Sequence, residues 1–207
     1  LEPTGALTQA LAAGATTTLM FRFDAGAVGL VGGEVQIETI TAADPDESPF
    51  NFTLQATVSP RIQTIDNGDI GFGGTGTFPD NFGRTTAGYL GDDLLSDIPA
   101  DGATAAWTFT AVPAGRYRIF ATWDEIAFGE GSTTAPFTVS GAGTVVSTSL
   151  LNQRLAPNDM EADGANWEEL RSTPFVVTGG DLVVTLTNDA MANGIVVADA
   201  VRIEQLF

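Results

Sequence analysis

The chain has 207 residues, with 26 Asp and Glu against 8 cationic side chains, for a formal charge of −18. That length can bury a proper core in one or two domains, and no apolar run is long enough for a membrane-spanning helix. The acidic excess argues against nucleic acid or an anionic membrane surface as partner, and the absence of Cys, His and Lys removes thiolate, imidazole and Schiff-base chemistry together.

Strand signals run the length of the chain. Leu7 and Leu11 leave a short helix open over residues 5–13, against the Thr and Gly around them. Residues 16–23 alternate, with Leu19, Phe21 and Phe23 on one face and Thr18, Met20 and Arg22 on the other. Gly32 and Gly33 read as a turn, and residues 34–40 follow as a strand. An acidic loop with Asp44, Asp46 and Glu47 leads into residues 50–58. There Phe50, Phe52, Leu54, Ala56 and Val58 alternate with Asn51, Thr53, Gln55 and Thr57. This period of two, with β-branched and aromatic residues, predicts half-buried antiparallel strands.

Ser59 and Pro60 mark a break, so the expected domains are 1–59 and 60–207. Further strands are predicted over 61–66, 103–110, 116–123, 136–139, 144–151, 174–177, 181–187 and 195–203. Gly179 and Gly180 mark a two-residue hairpin turn. Residues 92–97, with Leu94 and Leu95, read as a helical turn. Short strands separated by Gly, Pro, Asn and Asp turns predict an all-β sandwich or jelly roll.

From about Asp66 to Ile203 the chain resembles the golvesin C-terminal-like domain of large bacterial surface proteins. The resemblance rests on Ile65-Asp66-Asn67-Gly68-Asp69 with Gly71-Phe72, and on Gly88-Tyr89-Leu90-Gly91-Asp92. It continues through Ala106-Trp107-Thr108-Phe109, Pro113-Ala114-Gly115-Arg116-Tyr117 and Ala121-Thr122-Trp123. It closes on Val196-Val197-Ala198-Asp199-Ala200-Val201-Arg202. The resemblance implies a jelly-roll module, akin in outline to carbohydrate-binding modules, with no established catalytic residue.

Residues 1–58 resemble the back half of a choice-of-anchor D domain, an immunoglobulin-like module of the spindle/hydin type. The matching pieces are Ala13-Gly14-Ala15-Thr16-Thr17, Phe21-Arg22-Phe23-Asp24 and the loop from Asp44 to Phe50. Such a module has about seven strands, and three are clear here. The expected fold is therefore a partial immunoglobulin-like β-sandwich followed by a jelly-roll-like β-sandwich. Leu19, Phe21, Phe23, Phe50, Phe52 and Leu54 form an incomplete apolar face. Three explanations are open: an excerpt or processed piece of a longer protein, docking of that face on the second domain, or a strand supplied by a neighbouring protomer. No leader is legible at Leu1, in keeping with the first of these.

Candidate chemistry is confined to a few residues. Asp199 is in phase with Ile195, Val197, Val201 and Ile203, so its carboxylate is expected to be buried. It must then be bonded to backbone N–H groups or an Arg, or hold a cation. Asp66, Asn67 and Asp69 surround a Gly with short oxygen side chains, which suits either an Asx turn or, with Asp199, a calcium ion. Trp107 and Trp123 read as core, which leaves Trp167 and Tyr89 as the candidate ring platforms for a sugar. Glu168 and Glu169, adjacent in a strand, face opposite sides and make no catalytic pair.

The expected function is a non-enzymatic, extracellular or cell-surface structural protein, part of a filament, matrix or adhesive assembly. Its partners would be further copies or adjacent modules. The alternative is a polysaccharide-binding module of a large secreted protein.

Overall fold

A computed structural model describes residues 15–16, 18, 29–37, 50–59, 61–76, 88–96, 102–125 and 130–207. The chain divides into two units, residues 1–60 together with 207, and residues 61–206. No helix among the described residues is long and apolar enough to cross a membrane.

In the first unit, β1 (Gly29–Ile37) and β2 (Phe50–Val58) form an antiparallel ribbon, with Val35 opposite Phe52 and Val31 opposite Ala56. Phe52, Leu54, Ala56 and Val58 are half-buried, while Asn51, Thr53, Gln55 and Thr57 are exposed, as the alternation predicts. Gly32 and Gly33 do not form a turn. They lie inside β1, where a Cβ on Gly32 would press on the carbonyl oxygen of Leu54. Leu19, Phe21, Phe23 and the acidic loop of Asp44, Asp46 and Glu47 lie outside the described residues, as does most of the strand expected over 16–23.

The second unit is all-β. One sheet runs in the order β10 (Met160–Ala162), β11 (Ala165–Glu169), β7 (Gly115–Ala121), β15 (Val201–Leu206), β3 (Ile62–Ile65), and β12 (Phe175–Val177) also pairs with β7. The other runs β4 (Phe72–Thr75), β6 (Ala103–Val112), β13 (Gly180–Asn188), β8 (Ala135–Gly141), β9 (Ser147–Leu151). A small ribbon joins β5 (Leu94–Ser96) to β14 (Val196–Ala198). The neighbouring pairs are antiparallel.

Alternation decides which side chains meet between the sheets. Trp107 and Phe109 of β6, Phe137 and Val139 of β8, and Leu182, Val184 and Leu186 of β13 are buried in one core. Tyr117 and Ile119 of β7 and Val201 and Ile203 of β15 join them. Two tyrosine and tryptophan polar atoms are satisfied on the way: Trp107 Nε1 donates to the Asp199 carbonyl at 3.0 Å, and Tyr117 Oη to the Pro113 carbonyl at 3.0 Å.

Three expectations change. Residues 195–203 are two strands, not one: the chain breaks at Asp199 and Ala200, and β14 and β15 join different ladders. Residues 94–96 pair with β14 as a strand instead of coiling, and the only helical turn among the described residues is a 3-10 turn at Tyr89–Gly91. Gly179 and Gly180 do not close a hairpin, because β12 belongs to the β7 sheet and β13 to the β6 sheet. They turn the corner between the layers.

Candidate functional site

The turn at Asp66 closes on itself. Asn67 N donates to Asp66 Oδ1 at 2.8 Å, Asp66 N to Asp69 Oδ2 at 3.0 Å, and Asp69 N to the Asp66 carbonyl at 3.1 Å. This is Asx-turn chemistry, in which short side chains accept from nearby amides. Asp199 is 1% exposed, and both its oxygens accept from Tyr89 N, at 3.1 and 2.9 Å. Gly88, at φ +86°, makes this approach possible: a Cβ there would come within 3.1 Å of Asp199 Oδ2 and collide with the Asp92 carbonyl.

Asp66 and Asp199 are thus drawn towards one locality, together with Asp92 and Asp93, which the sequence did not single out as site residues. Asn67 Nδ2 reaches Asp92 Oδ2 at 3.2 Å. Burial, opposed by the bond from Tyr89 N and reinforced by Asp66, Asp93 and Asp92, pushes Asp199 up to about 8. Burial likewise lifts Asp66 to about 6; the Asn67 amide opposes it, and Asp92 and Asp69 add to it. Among the described residues no group of three or more acidic side chains is arranged to hold a metal ion. Asp66, Asp69 and Asp199 accept from main-chain amides, Asp92 accepts from the Asn67 side chain, and the bond from Tyr89 N to Asp199 ties the 88–92 segment to the β14–β15 corner.

Trp167 is not an exposed platform. It is 0% exposed and packs with Phe120 and Ala200 in a second apolar cluster, and its Nε1 donates to the Ala162 carbonyl at 3.0 Å. Tyr89 is half-buried against this cluster, its ring centroid 5.4 Å from that of Trp167. Trp167 follows Gly164 and Asn166, and β10 and β11 pair as a hairpin that carries the indole into this cluster. Glu169, opposite Phe120, is paired with Arg118 at 2.7 Å, while Glu168, opposite Ala121, accepts from Asn158 N.

A groove of about 200 Å³ lies elsewhere, at the outer edge of the five-stranded sheet. Phe72 and Leu94 give it apolar walls, residues 73–76 of the glycine-rich edge run along it, and Thr104 completes the rim. Thr75 and Thr104 are bonded side by side, hydroxyl to hydroxyl at 2.9 Å, with Thr75 N donating to Thr104 Oγ1 at 3.1 Å. Gly74 is required there, since a Cβ would collide with the Thr104 carbonyl oxygen, whereas Gly73 looks into open space. No strand signal is legible for β4, because its glycines carry no side-chain pattern. The groove therefore had no sequence signature beyond Gly71 and Phe72 in the family resemblance.

The golvesin C-terminal domain family matches residues 64–205. Among curated proteins none matches the chain. Of solved structures, a xanthan lyase from Paenibacillus is similar at 22% identity and a TM-score of 0.59, over 77% of this chain and 14% of the lyase. The chain therefore spans a small part of that protein, and at this identity the likeness concerns the fold. A CBM35 from Cellvibrio japonicus Abf62 is similar at 17% identity and a TM-score of 0.42, over 69% of this chain and 92% of that one.

Proposed function

The chain belongs to the golvesin C-terminal domain family, and from that premise we propose that it is a non-catalytic polysaccharide-binding module of a secreted or cell-surface protein. The observation that carries this is the β4 groove. Its walls of Phe72 and Leu94 suit the C–H face of a sugar ring, and the Thr75 and Thr104 hydroxyls and the edge-strand backbone offer partners for sugar hydroxyls. Support for binding without turnover comes from the carboxylates: Glu168 and Glu169 face opposite sides of β11, and Glu169 is held by Arg118. The filament reading draws no comparable support, and three of the six residues of its assembly face lie outside the described ones.

Affinity electrophoresis of the whole chain through gels containing soluble polysaccharides tests this reading. Retardation is expected in at least one polymer, and Gly73→Trp, which fills open space at the groove, is expected to weaken it about tenfold, or about 1.4 kcal/mol. Unretarded migration through neutral and uronic-acid polymers alike would overturn it.

A further inference from the structure

The outward face of the five-stranded sheet has an unusual composition for so acidic a chain. Strand register sets its side chains in rows across the strands. One row runs Gly73, Ala106, Thr185, Thr138, Thr148; beside it lie Thr75, Thr104 and Thr187 on one side, and Thr108, Val183 and Ser140 on the other. Not one of these positions carries a charge. Acidic residues return only at the strand ends, with Asp181 and Asp189. Gly73 and Thr148, at the two ends of the first row, are exposed, and a Cβ on Gly73 would meet nothing within 4 Å. Thr138 and Thr148 are bonded hydroxyl to hydroxyl at 2.8 Å, as Thr75 and Thr104 are at 2.9 Å. Each such pair uses one of two hydroxyl donors and leaves the other for a ligand.

The edges of the sheet are equally bare. Neither β4 nor β9 contains a charged residue, although exposed edge strands are ordinarily guarded by charge. Three partner classes are disfavoured by charge. A second copy brings another −18 to the contact, an anionic polymer meets the same repulsion, and a cationic one finds no carboxylate on the face to pair with.

We infer that this face, continuous with the groove at Gly73, is the track on which an uncharged polysaccharide chain lies. The inference rests on the polysaccharide-binding reading and deepens it by naming the class of polymer and its path. Successive strands are about 4.8 Å apart, close to the advance of one sugar unit along an extended glycan. A chain crossing the strands from Gly73 to Thr148 therefore meets about one outward side chain per sugar over about 19 Å. Threonine offers both a methyl and a hydroxyl to a surface on which C–H and O–H groups alternate. The groove takes one end of the chain, and the threonine row takes the rest.

The test uses the whole chain with soluble β-glucan and glucomannan as neutral probes and polygalacturonate as the anionic one, at low and at molar salt. Neutral-polymer affinity is expected to stay within twofold across that salt range, with no binding of polygalacturonate at low salt. Thr185→Arg and Thr138→Arg are expected to weaken neutral-polymer binding tenfold or more, and Thr185→Ser to retain it, all with melting temperatures near that of the parent. Loss of binding in Gly73→Trp with full binding in both Arg variants would overturn the track while leaving the groove and the polysaccharide reading intact. Tighter binding of polygalacturonate than of the neutral probes, or salt-promoted self-association abolished by Thr185→Arg, would also overturn it. Failure of the parent to bind any of the three polymers would remove the underlying reading as well.

Discussion

The two sheets of the second unit turn very different faces outward. On the six-stranded sheet, Arg118 pairs with Glu169, and Arg202 pairs with Glu204 and Asp163. The β10–β11 hairpin buries Trp167 in a cluster with Phe120. Arg118 also lies over the Phe120 ring, 4.9 Å from its centroid. That face satisfies its own charges and covers its own aromatics. The five-stranded sheet presents uncharged rows of small side chains and threonine, with Pro136 and Leu150 on the same face and a groove at one edge. The difference teaches where to look for a partner: the six-stranded sheet covers its aromatic rings with its own hairpin, and the five-stranded sheet sets uncharged rows beside the groove at β4.

The largest expected effect falls on the closed face. Trp167→Ala removes a fully buried indole and its bond to Ala162, and should cost about 3–5 kcal/mol in urea unfolding. Affinity of the folded fraction for a polysaccharide should be unchanged. Selective loss of binding at full stability would break the comparison, because it would return Trp167 to the role of a sugar platform.

A smaller effect is expected from the carboxylates around residues 88–92. The folded-state values of Asp199 and Asp66, about 8 and about 6, lie above their ordinary value of 3.8. The unfolded chain therefore gives up these protons first as pH rises. Their contribution to stability is fully present below about pH 4 and is lost as pH climbs towards 8. Melting temperature should fall across that window, and Asp199→Asn, which keeps an acceptor for Tyr89 N, should flatten the fall. Millimolar calcium should leave the slope unchanged if the carboxylates are spent on main-chain amides. A calcium-dependent rise at pH 8 that disappears in Asp199→Asn would show that they turn to a cation.

Much of the fold was legible as alternation. Residues 50–58 and the cores of β6 and β13 read directly as strands, and Trp107 and Trp123 read as core because each is in phase with apolar neighbours; both are buried. What failed was local pattern where pairing decides the outcome. The run from Ile195 to Ile203 is apolar at all but Asp199 and Arg202 and reads as one strand, yet β14 answers to β5 and β15 to β3 and β7. Trp167 has loop-like neighbours, and its burial depends on Phe120 and Ala200, which lie far away along the chain. The carboxylate of Asp199 was legible as buried because it falls in phase with core residues, but its partner, the amide of Tyr89, was not. The open face was hidden for the same reason. Each threonine reads as an outward strand residue, but only the order β4-β6-β13-β8-β9 lines them into rows.

Backbone amide chemical-shift mapping of the whole chain during titration with a soluble neutral glucan tests the central claim most directly. Shifts should concentrate at Gly73, Ala106, Thr185, Thr138 and Thr148, while Tyr89, Glu169 and Arg202 stay unmoved. Shifts gathered instead on the Tyr89–Trp167 side, or none at saturating glucan, would contradict the assignment of the open sheet as the polysaccharide face.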